Sequence, residues 1–294
     1  MASSLDRRAL ARALTEAARA SVEDALVNAA NDVAPAPRIG ITGAPGVGKS
    51  SLIGRLARHR LEQHAPLAVI AVDPSSPHSS GSLLGDRIRM EGIVDDPRLY
   101  IRSLPSGEAH DGLSENLPEV LAAVDRFGFG EVIVETVGVG QTEYGVRALV
   151  DVEVLVLMPG LGDAVQAMKA GILETADVIV INKADLPGAD RTMAELRSVF
   201  NSRAAKHAAP PLVLVHKDEE GGILKLSETL DTLLSRRREE VTEQERRRRL
   251  NRYRIHRLLS RRLAQAITEI PPQQFDDALE ETYRAVLARL APPG

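Results

Sequence analysis

The sequence of 294 residues contains no cysteine and no tryptophan, and only 3% of its residues are aromatic. The lack of cysteine excludes disulfides, thiolate metal sites and cysteine nucleophiles, and it fits a reducing compartment. Scarce aromatic rings leave few surfaces on which single-stranded nucleic acid could stack. No apolar run approaches the length of a membrane span, and charged residues interrupt the amino terminus where a signal peptide needs an apolar core. We therefore expect a cytoplasmic protein with neither membrane nor nucleic-acid partners.

The rest of the composition is that of a globular protein. Hydrophobic residues make up 44% of the chain, and the formal net charge is −4. This apolar content can build one large domain with appendages or two small domains. The slightly negative charge gives the chain as a whole no attraction to polyanions. The seven histidines are scattered and show no metal-ligand spacing.

Apolar runs alternate with helical patterns through the middle of the chain. The runs are rich in valine and isoleucine, which is typical of strands buried on both faces of a parallel sheet. The predicted strands are Ile39–Thr42, Leu67–Val72, Leu99–Ile101, Val132–Val134, Val152–Met158, Val178–Ile181 and Leu212–Val215. The predicted helices cover 51–64, 113–126, 163–170, 190–205 and 222–235. We expect an α/β fold with a mostly parallel sheet and helices on both faces.

Helical patterns also flank this region. Apolar residues at helical spacing over 3–30 predict one or two amino-terminal helices, followed by a proline-containing linker. A second apolar stripe continues beyond residue 250, and a last helix is expected after Pro271. We therefore divide the chain into an amino-terminal helical extension at 1–37, a central domain at 38–235 and a carboxy-terminal helical arm at 236–294.

The arm begins with a strongly basic segment. Residues 236–262 contain twelve arginines against four glutamates. Such a segment could be a nucleic-acid arm. It could also be a solvated helix whose apolar stripe packs on the core or on a partner subunit, and we favour this because the chain has no recognisable nucleic-acid module. The arm is then our candidate for a dimerisation element.

The segment from Gly43 to Ser50 fits the phosphate-binding loop pattern of Gly, four residues and Gly-Lys-Ser. A predicted strand leads in and a helical pattern leads out, so backbone N–H groups can face an anion. In this pattern Lys49 reaches the β- and γ-phosphates, and Ser50 holds Mg²⁺. The central domain is therefore expected to be a P-loop NTPase. The expected nucleotide contacts are Gly43, Ala44, Pro45, Gly46, Val47, Gly48, Lys49, Ser50 and Ser51.

A second nucleotide motif, Asn182-Lys183-Ala184-Asp185, follows the predicted strand Val178–Ile181. The Asp185 carboxylate can accept hydrogen bonds from guanine N1–H and from the exocyclic amine, a donor pair that adenine lacks. Alone, the tetrapeptide could be a helix N-cap turn. Together with the first loop it predicts GTP rather than ATP.

Glu135 follows the predicted strand Val132–Val134, where many P-loop proteins place an acidic residue near Mg²⁺. A solvated carboxylate at a strand end is the alternative, and the first loop favours magnesium. Gly138 could offer a backbone N–H to the γ-phosphate. Val139 stands where Ras-like proteins orient the attacking water with Gln, and Gln141 lies two positions further on. We therefore expect slow intrinsic hydrolysis.

Asp73 ends another predicted strand, and Asp86 and Arg89 follow after a loop rich in serine and glycine. Composition alone favours a loop that Asp73 caps, with Asp86 and Arg89 as a solvated pair.

Four strings together resemble the MeaB/ArgK-type G proteins. They are Gly-Ala-Pro-Gly-Val-Gly-Lys-Ser at 43–50, Ala-Val-Asp-Pro-Ser-Ser at 71–76 with Leu-Gly-Asp-x-x-Arg-Met at 84–90, Glu-Thr-Val-Gly-Val-Gly-Gln at 135–141, and Ala-Asp-x-Ile-Val-Ile-Asn-Lys-Ala-Asp at 176–185. The resemblance covers roughly residues 38–235. Glu135–Gln141 combined with Asp73-Pro74-Ser75-Ser76 is not a general GTPase pattern.

The resemblance implies a function. Members of this family are GTPase chaperones of adenosylcobalamin-dependent acyl-CoA mutases, and they are usually homodimers. The resemblance therefore implies a mutase partner. It also implies that cobalamin contacts this protein only through that partner. The GTPase would gate cobalamin loading and protect or rescue the mutase, through loops that γ-phosphate and Mg²⁺ order.

The resemblance also implies residue roles. The Mg²⁺ ligands would be Ser50, Asp73, Asp86 and Glu135. The further nucleotide contacts would be Arg89, Asn182, Lys183 and Asp185. Lys169, retained from the family's helix pattern, could meet phosphate charge or could be a solvated helix lysine. The candidate catalytic residues are Lys49, Glu135, Gln141 and Lys169.

Two segments depart from the family pattern. Residues 103–112 differ from the usual loop, so the partner-facing loop is expected to suit a different mutase. The base loop reads Val215-His216-Lys217 in place of Ser-Ala-Leu, so its backbone rather than its side chains is expected to cradle guanine.

Two other functions stay open on this fold. A kinase of a small metabolite would need an acceptor site, which is not evident, and the Asn182–Asp185 motif argues against it. A metal-delivery GTPase would need clusters of cysteine or histidine. The chaperone GTPase is the preferred hypothesis.

Overall fold

Seven apolar runs of the sequence form one parallel sheet in a computed structural model of the chain. The model describes residues 5–31, 33–64, 66–73, 95–105, 114–136, 142–160, 173, 175–203, 209–276 and 278–290. The strands are β1 Arg38–Thr42, β2 Leu67–Asp73, β3 Leu99–Pro105, β4 Glu131–Glu135, β5 Val152–Leu157, β6 Val178–Asn182 and β7 Leu212–Val215. Their order across the sheet is β3-β2-β4-β1-β5-β6-β7. All six strand pairings are parallel, as the uninterrupted apolar runs predicted.

Nine α-helices accompany the sheet within these described ranges. They are α1 Arg7–Arg19, α2 Val22–Asn28, α3 Lys49–His64, α4 Leu117–Asp125, α5 Thr142–Leu149, α6 Ala189–Arg203, α7 Gly221–Glu240, α8 Glu243–Thr268 and α9 Leu279–Leu290. Short 3₁₀ turns cover Ala29–Asn31 and Pro272–Asp276. The predicted helix at 163–170 lies outside the described residues.

Each face of the sheet carries its own core, because successive residues of a strand point to opposite faces. In β4, Ile133 packs into the cluster formed with α3 and α7. Its neighbours Val132 and Val134 pack into the cluster formed with α1, α4 and α5. The α/β prediction with helices on both faces is confirmed.

Several predicted boundaries were wrong, and two of them have a clear physical reason. Strand β3 continues past Ile101 to Pro105, because its ladder with β2 extends to the pair Asp73 and Pro105. It is an edge strand whose residues 101–103 are only half-buried, so the apolar run ends before the strand does. Helix α4 begins at Leu117 rather than 113, after Asn116 as N-cap and with a proline in its first turn.

The amino-terminal extension packs on the sheet domain. Asp6 caps α1 by accepting hydrogen bonds from the N–H groups of Arg8 and Ala9. Leu10 and Leu14 of α1 are fully buried in the cluster shared with α4. The division of the chain into three parts at residues 37 and 235 stays a prediction, and α7 runs through residue 235 without a break.

Helix α8 faces the rest of the protein with arginines. Arg246 donates to the carbonyls of Pro35 and Ala36, at 2.6 and 2.7 Å. Arg261 donates to the carbonyl of Ala20 at 2.7 Å, and Arg254 is buried beside Glu119. The expected apolar stripe therefore does not pack on the core as a whole. Leu258, Ala266 and Ile270 are buried, whereas Ile255, Leu259, Leu263 and Ile267 are exposed.

A cleft of about 320 Å³ lies where α7 meets α8, beside the start of β5. Three of the arginines that line it form ion pairs with two aspartates. Arg237 donates to Asp177 at 2.9 Å, and Arg246 and Arg249 form ion pairs with Asp151. Burial lowers the pKa of Arg249, and the neighbouring arginines add to this while Asp151 opposes it. We interpret the cleft as the seam that attaches the arm.

No helix in the described part of the chain combines the length and the apolar character that crossing a membrane requires.

A buried charge network joins α3 to the sheet and to α7. Arg60 and Glu131 are at most 1% exposed, and the Arg60 Nε donates to the Glu131 carboxylate at 2.6 Å. Arg60 also donates to the Ser227 hydroxyl and to Asp231, each at 2.9 Å. Burial alone would lower the pKa of Arg60, but the bonds and charges of Glu131 and Asp231 outweigh it and raise that pKa.

We predict that Arg60→Met destabilises the fold by about 3–5 kcal/mol, because it leaves the Glu131 carboxylate buried without its counter-charge. Urea unfolding measures the change. Arg58→Met on the exposed face of the same helix is the control and should cost less than about 0.5 kcal/mol. Equal stability of the two variants would contradict the prediction.

Candidate functional site

The phosphate-loop segment joins the carboxyl end of β1 to the start of α3. Three of its glycines have φ angles that L side chains avoid: 154° at Gly43, 82° at Gly46 and 94° at Gly48. A Cβ at Gly43 would lie 2.3 Å from the carbonyl oxygen of Val156, and one at Gly48 would lie 2.6 Å from the amide nitrogen of Asn182. The loop can therefore approach β5 and β6 only without side chains at these two positions.

Lys49 is the first residue of α3 and is buried against the loop that precedes it. Its Nζ donates to the carbonyls of Gly43 and Ala44, at 2.8 and 3.2 Å. The ammonium group is thus held over the segment whose N–H groups would meet phosphate, at the positive end of the α3 dipole. Of the other loop residues, Val47 is buried, whereas Pro45 and Ser51 are exposed.

Ser50 and Glu135 meet where β1 and β4 end side by side. The Ser50 hydroxyl donates to the Glu135 carboxylate at 2.9 Å, and both side chains are buried. Ile41 pairs with Glu135 across the two strands. A hydroxyl oxygen and a carboxylate oxygen in contact form a donor set that suits Mg²⁺, so the residues present fit that ion.

The Asn182 motif lies against the phosphate loop. The Asn182 amide donates to the carbonyl of Val47 at 2.8 Å, and the Lys183 Nζ donates to the carbonyl of Gly46 at 2.9 Å. Lys183 has a φ of 53°, in the left-handed region, which is unusual for a residue other than glycine; such strained residues cluster at functional sites. The two predicted nucleotide motifs are therefore in direct contact.

The base loop lies next to Asp185. Asn182 pairs with Val215 across β6 and β7, and the N–H of Ala184 donates to the carbonyl of Val215 at 3.0 Å. The backbone N–H of Lys217 donates to the Asp185 carboxylate at 3.1 Å. The Asp185 side chain is exposed, so it is accessible to a ligand.

The structure thus brings the phosphate loop, Glu135, the Asn182 motif and residues 215–217 together at one edge of the sheet. Asp73 ends β2, two residues beyond the partner of Glu135 in the ladder. Several predicted site residues lie outside the described part of the chain, as does the side chain of Asp73. They are Asp86, Arg89, Gly138, Gln141 and Lys169.

Sequence reasoning missed Arg55. This residue of α3 donates to the carbonyl of His216 at 2.7 Å and to that of Glu219. It therefore holds the base loop from the helix that carries Lys49 and Ser50. The only signal in the sequence is a third arginine on α3, which by itself does not say where the side chain points.

The fold and these two linked motifs define a P-loop nucleoside triphosphatase. The chain belongs to the MeaB family: the family model described as methylmalonyl-CoA mutase-associated GTPase MeaB matches residues 8–271. It is thus a GTPase of that family, as the four motif strings predicted.

Individual proteins are also similar to this chain. A protein of Caulobacter vibrioides that carries a GTPase name is 42% identical over 250 residues, which are 81% of this chain and 74% of that protein. The fused isobutyryl-CoA mutase of Cupriavidus metallidurans is 44% identical over 210 residues, 69% of this chain and 19% of that protein. The crystal structure of a LAO/AO transport system kinase has the same fold, with a TM-score of 0.54 at 21% identity over 97% of this chain and 99% of that chain.

We predict that Gly48→Ala costs more stability than Gly46→Ala. Both positions have positive φ, so each alanine costs about 1–2 kcal/mol in the backbone. At Gly48 the new methyl group also displaces the Asn182 amide, which adds about 1 kcal/mol, whereas at Gly46 no atom of the described residues lies within 4 Å. Urea unfolding without nucleotide measures both, and an equal loss would show that the contact with Asn182 contributes nothing.

Proposed function

We propose that this GTPase is a nucleotide-switched chaperone of an adenosylcobalamin-dependent acyl-CoA mutase. It gates cobalamin loading and protects or reactivates the mutase. It contacts cobalamin only through that partner. The proposal is supported by the family assignment and by the relative in which a matching segment is fused to isobutyryl-CoA mutase. It acts in the cytoplasm, without nucleic acid or membrane as partners.

The observation that carries the proposal is the contact between the two motifs. Asn182 and Lys183 donate hydrogen bonds to the phosphate loop, which forms one end of the site. Asp185 forms the other end. A guanine nucleotide with its phosphates on the loop then presents N1–H and its exocyclic amine to Asp185. Val215, His216 and Lys217 border the base, and they do so through their backbone.

The magnesium site in this proposal has four ligands. Ser50 and Glu135 supply a hydroxyl and a carboxylate that are already in contact. The other two are Asp73 and Asp86. Bound Mg²⁺ would neutralise charge on the phosphates, and the chain's part is to orient these oxygens.

Hydrolysis in this proposal relies on Lys49, Glu135, Gln141 and Lys169, with Arg89 and Gly138 as further nucleotide contacts. Lys49 stabilises charge on the phosphates, and Glu135 acts from the Mg²⁺ side. Val139 cannot orient a water molecule, so the intrinsic rate is slow. Lys49 would exchange its bonds to two loop carbonyls for phosphate oxygens, which couples the loop to the nucleotide.

We predict that the immobilised protein retains a candidate acyl-CoA mutase to different extents with GDP and with a non-hydrolysable GTP analogue. Asp185→Asn should abolish that difference for guanine nucleotides and restore it with the xanthine analogues, because an amide offers the donor that xanthine O2 needs. Retention is measured by quantifying bound mutase. Equal retention with both guanine nucleotides, or a variant that behaves like the wild type, would refute the proposal.

We also propose that the protein is a homodimer through its carboxy-terminal arm. Four apolar side chains repeat every fourth residue along the outer face of α8, and they are Ile255, Leu259, Leu263 and Ile267. Leu279, Tyr283 and Leu287 repeat in the same way on α9. Contiguous exposed apolar stripes of this kind mark association surfaces, and a second copy of this chain carries the matching stripe.

We predict that Leu259→Glu shifts the protein from dimer to monomer, because a carboxylate would be buried in the middle of the α8 stripe. Light scattering after size-exclusion chromatography measures the mass. Ala264→Glu is the matched control, since residue 264 is exposed but points about 120° away from the stripe. A monomeric wild type, or a Leu259→Glu variant that stays dimeric, would disprove the arm as the interface.

A further inference from the structure

The base loop, residues 215–217, continues through Asp218 to Glu220 before α7 begins. Lys217, Asp218, Glu219 and Glu220 are all exposed, and none of them is apolar. Glu220 is the N-cap of α7 but makes no side-chain cap hydrogen bond. A short exposed segment of charged residues has no hydrophobic reason to keep one conformation. Its position must come from other groups.

Arg55 holds this segment in position. Its guanidinium, on a side chain that is 21% exposed, donates to the carbonyl of His216 at 2.7 Å and to the carbonyl of Glu219. It also lies 3.4 Å from the Glu220 carboxylate. The planar fork of arginine can hold two acceptors at once, which the single ammonium of lysine does not do with the same geometry.

The helix that carries Arg55 is fixed relative to the phosphate loop. Ile53, Leu56 and Ala57 of α3 are fully buried, and Lys49 and Ser50 form its first turn. One side chain therefore connects the phosphate end of the site to the base end. The connection continues to the carboxylate, because the N–H of Lys217, next to His216, donates to Asp185.

Helix α7 does not depend on Arg55 for its own attachment. The buried Arg60 side chain holds Ser227 and Asp231 of α7. Gly222 in its first turn lies so close to β7 that a Cβ would sit 2.4 Å from the carbonyl of Leu214. Loss of the Arg55 side chain should therefore loosen residues 216–220 and leave α7 in place.

We infer that Arg55 is a positioning residue for base selectivity. It fixes the loop whose N–H orients the Asp185 carboxylate, and so it makes the site distinguish a purine that carries the exocyclic amine from one that lacks it. The inference rests on the proposed binding of guanine nucleotides. Arg55 contacts neither base nor phosphate in this assignment and acts through Lys217 and Asp185.

The test compares GDP with inosine diphosphate, which lacks the exocyclic amine. Calorimetry on the full chain gives both dissociation constants for the wild type, Arg55→Gln, Arg55→Lys and Arg58→Gln. The last is the matched control, because Arg58 is an exposed arginine on the same helix. Unfolding midpoints are recorded for all four proteins.

We expect Arg55→Gln to raise the dissociation constant for GDP about tenfold and to narrow the preference for GDP over inosine diphosphate about fivefold. Arg55→Lys should recover part of both effects, and Arg58→Gln should match the wild type. A parallel loss of both nucleotides, with their ratio unchanged, would show a purely structural role and overturn the inference.

Two further outcomes are distinguishable. If Arg55→Gln fails to fold, Arg55→Lys replaces it, and a wild-type nucleotide ratio in that variant overturns the inference. If the wild type itself binds neither nucleotide, the proposed function fails, and the inference about Arg55 falls with it for that separate reason.

Discussion

The hydrogen bond from the Asn182 amide to the carbonyl of Val47 joins two segments that follow strands separated by a third strand. β5 lies between β1 and β6, so the strands that lead into the two nucleotide motifs are about 10 Å apart. The loop after β1 must therefore pass over β5, and Gly43 makes this possible at the carbonyl of Val156. The Asn182 side chain must then reach back from β6, and Gly48 leaves room for it. Gly43, Gly48 and the Asn182 amide therefore set the distance between the phosphate loop and the Asn182 motif.

The strands could be predicted because five of the seven are buried on both faces, which leaves long apolar runs in the sequence. The same reasoning failed at β3, where an edge strand tolerates Arg102 and Ser103 beyond the apolar run. The two motifs could be predicted as strings, since glycine spacing and the order of strand, loop and helix are visible in a sequence. The contact between the two motifs could not be predicted, because it depends on the strand order, which places β5 between β1 and β6.

Charged residues show most clearly what a sequence leaves undecided. Arg55, Arg58 and Arg60 lie within six residues of one helix and have three different environments. Arg58 is exposed, Arg55 holds the base loop, and Arg60 is fully buried against Glu131. The basic segment of α8 shows the same difficulty. Its arginines form much of the inner face while four of its apolar residues lie outside, the reverse of what apolar periodicity alone indicates.

These arginine contacts also determine which parts of the site can move. α7 starts at the base loop and ends at the seam where Arg237 meets Asp177. Its middle is held by Arg60 through a network that is costly to break because it is buried. We therefore expect a shift of the base loop to be absorbed by residues 216–220 rather than transmitted along the helix. The contacts of that loop with Arg55 are exposed or only partly buried, so they can open and close at a smaller energetic cost than the Arg60 network. Any ordering of the base end that accompanies nucleotide binding should accordingly be confined to this loop, while α3 and α7 remain fixed around it.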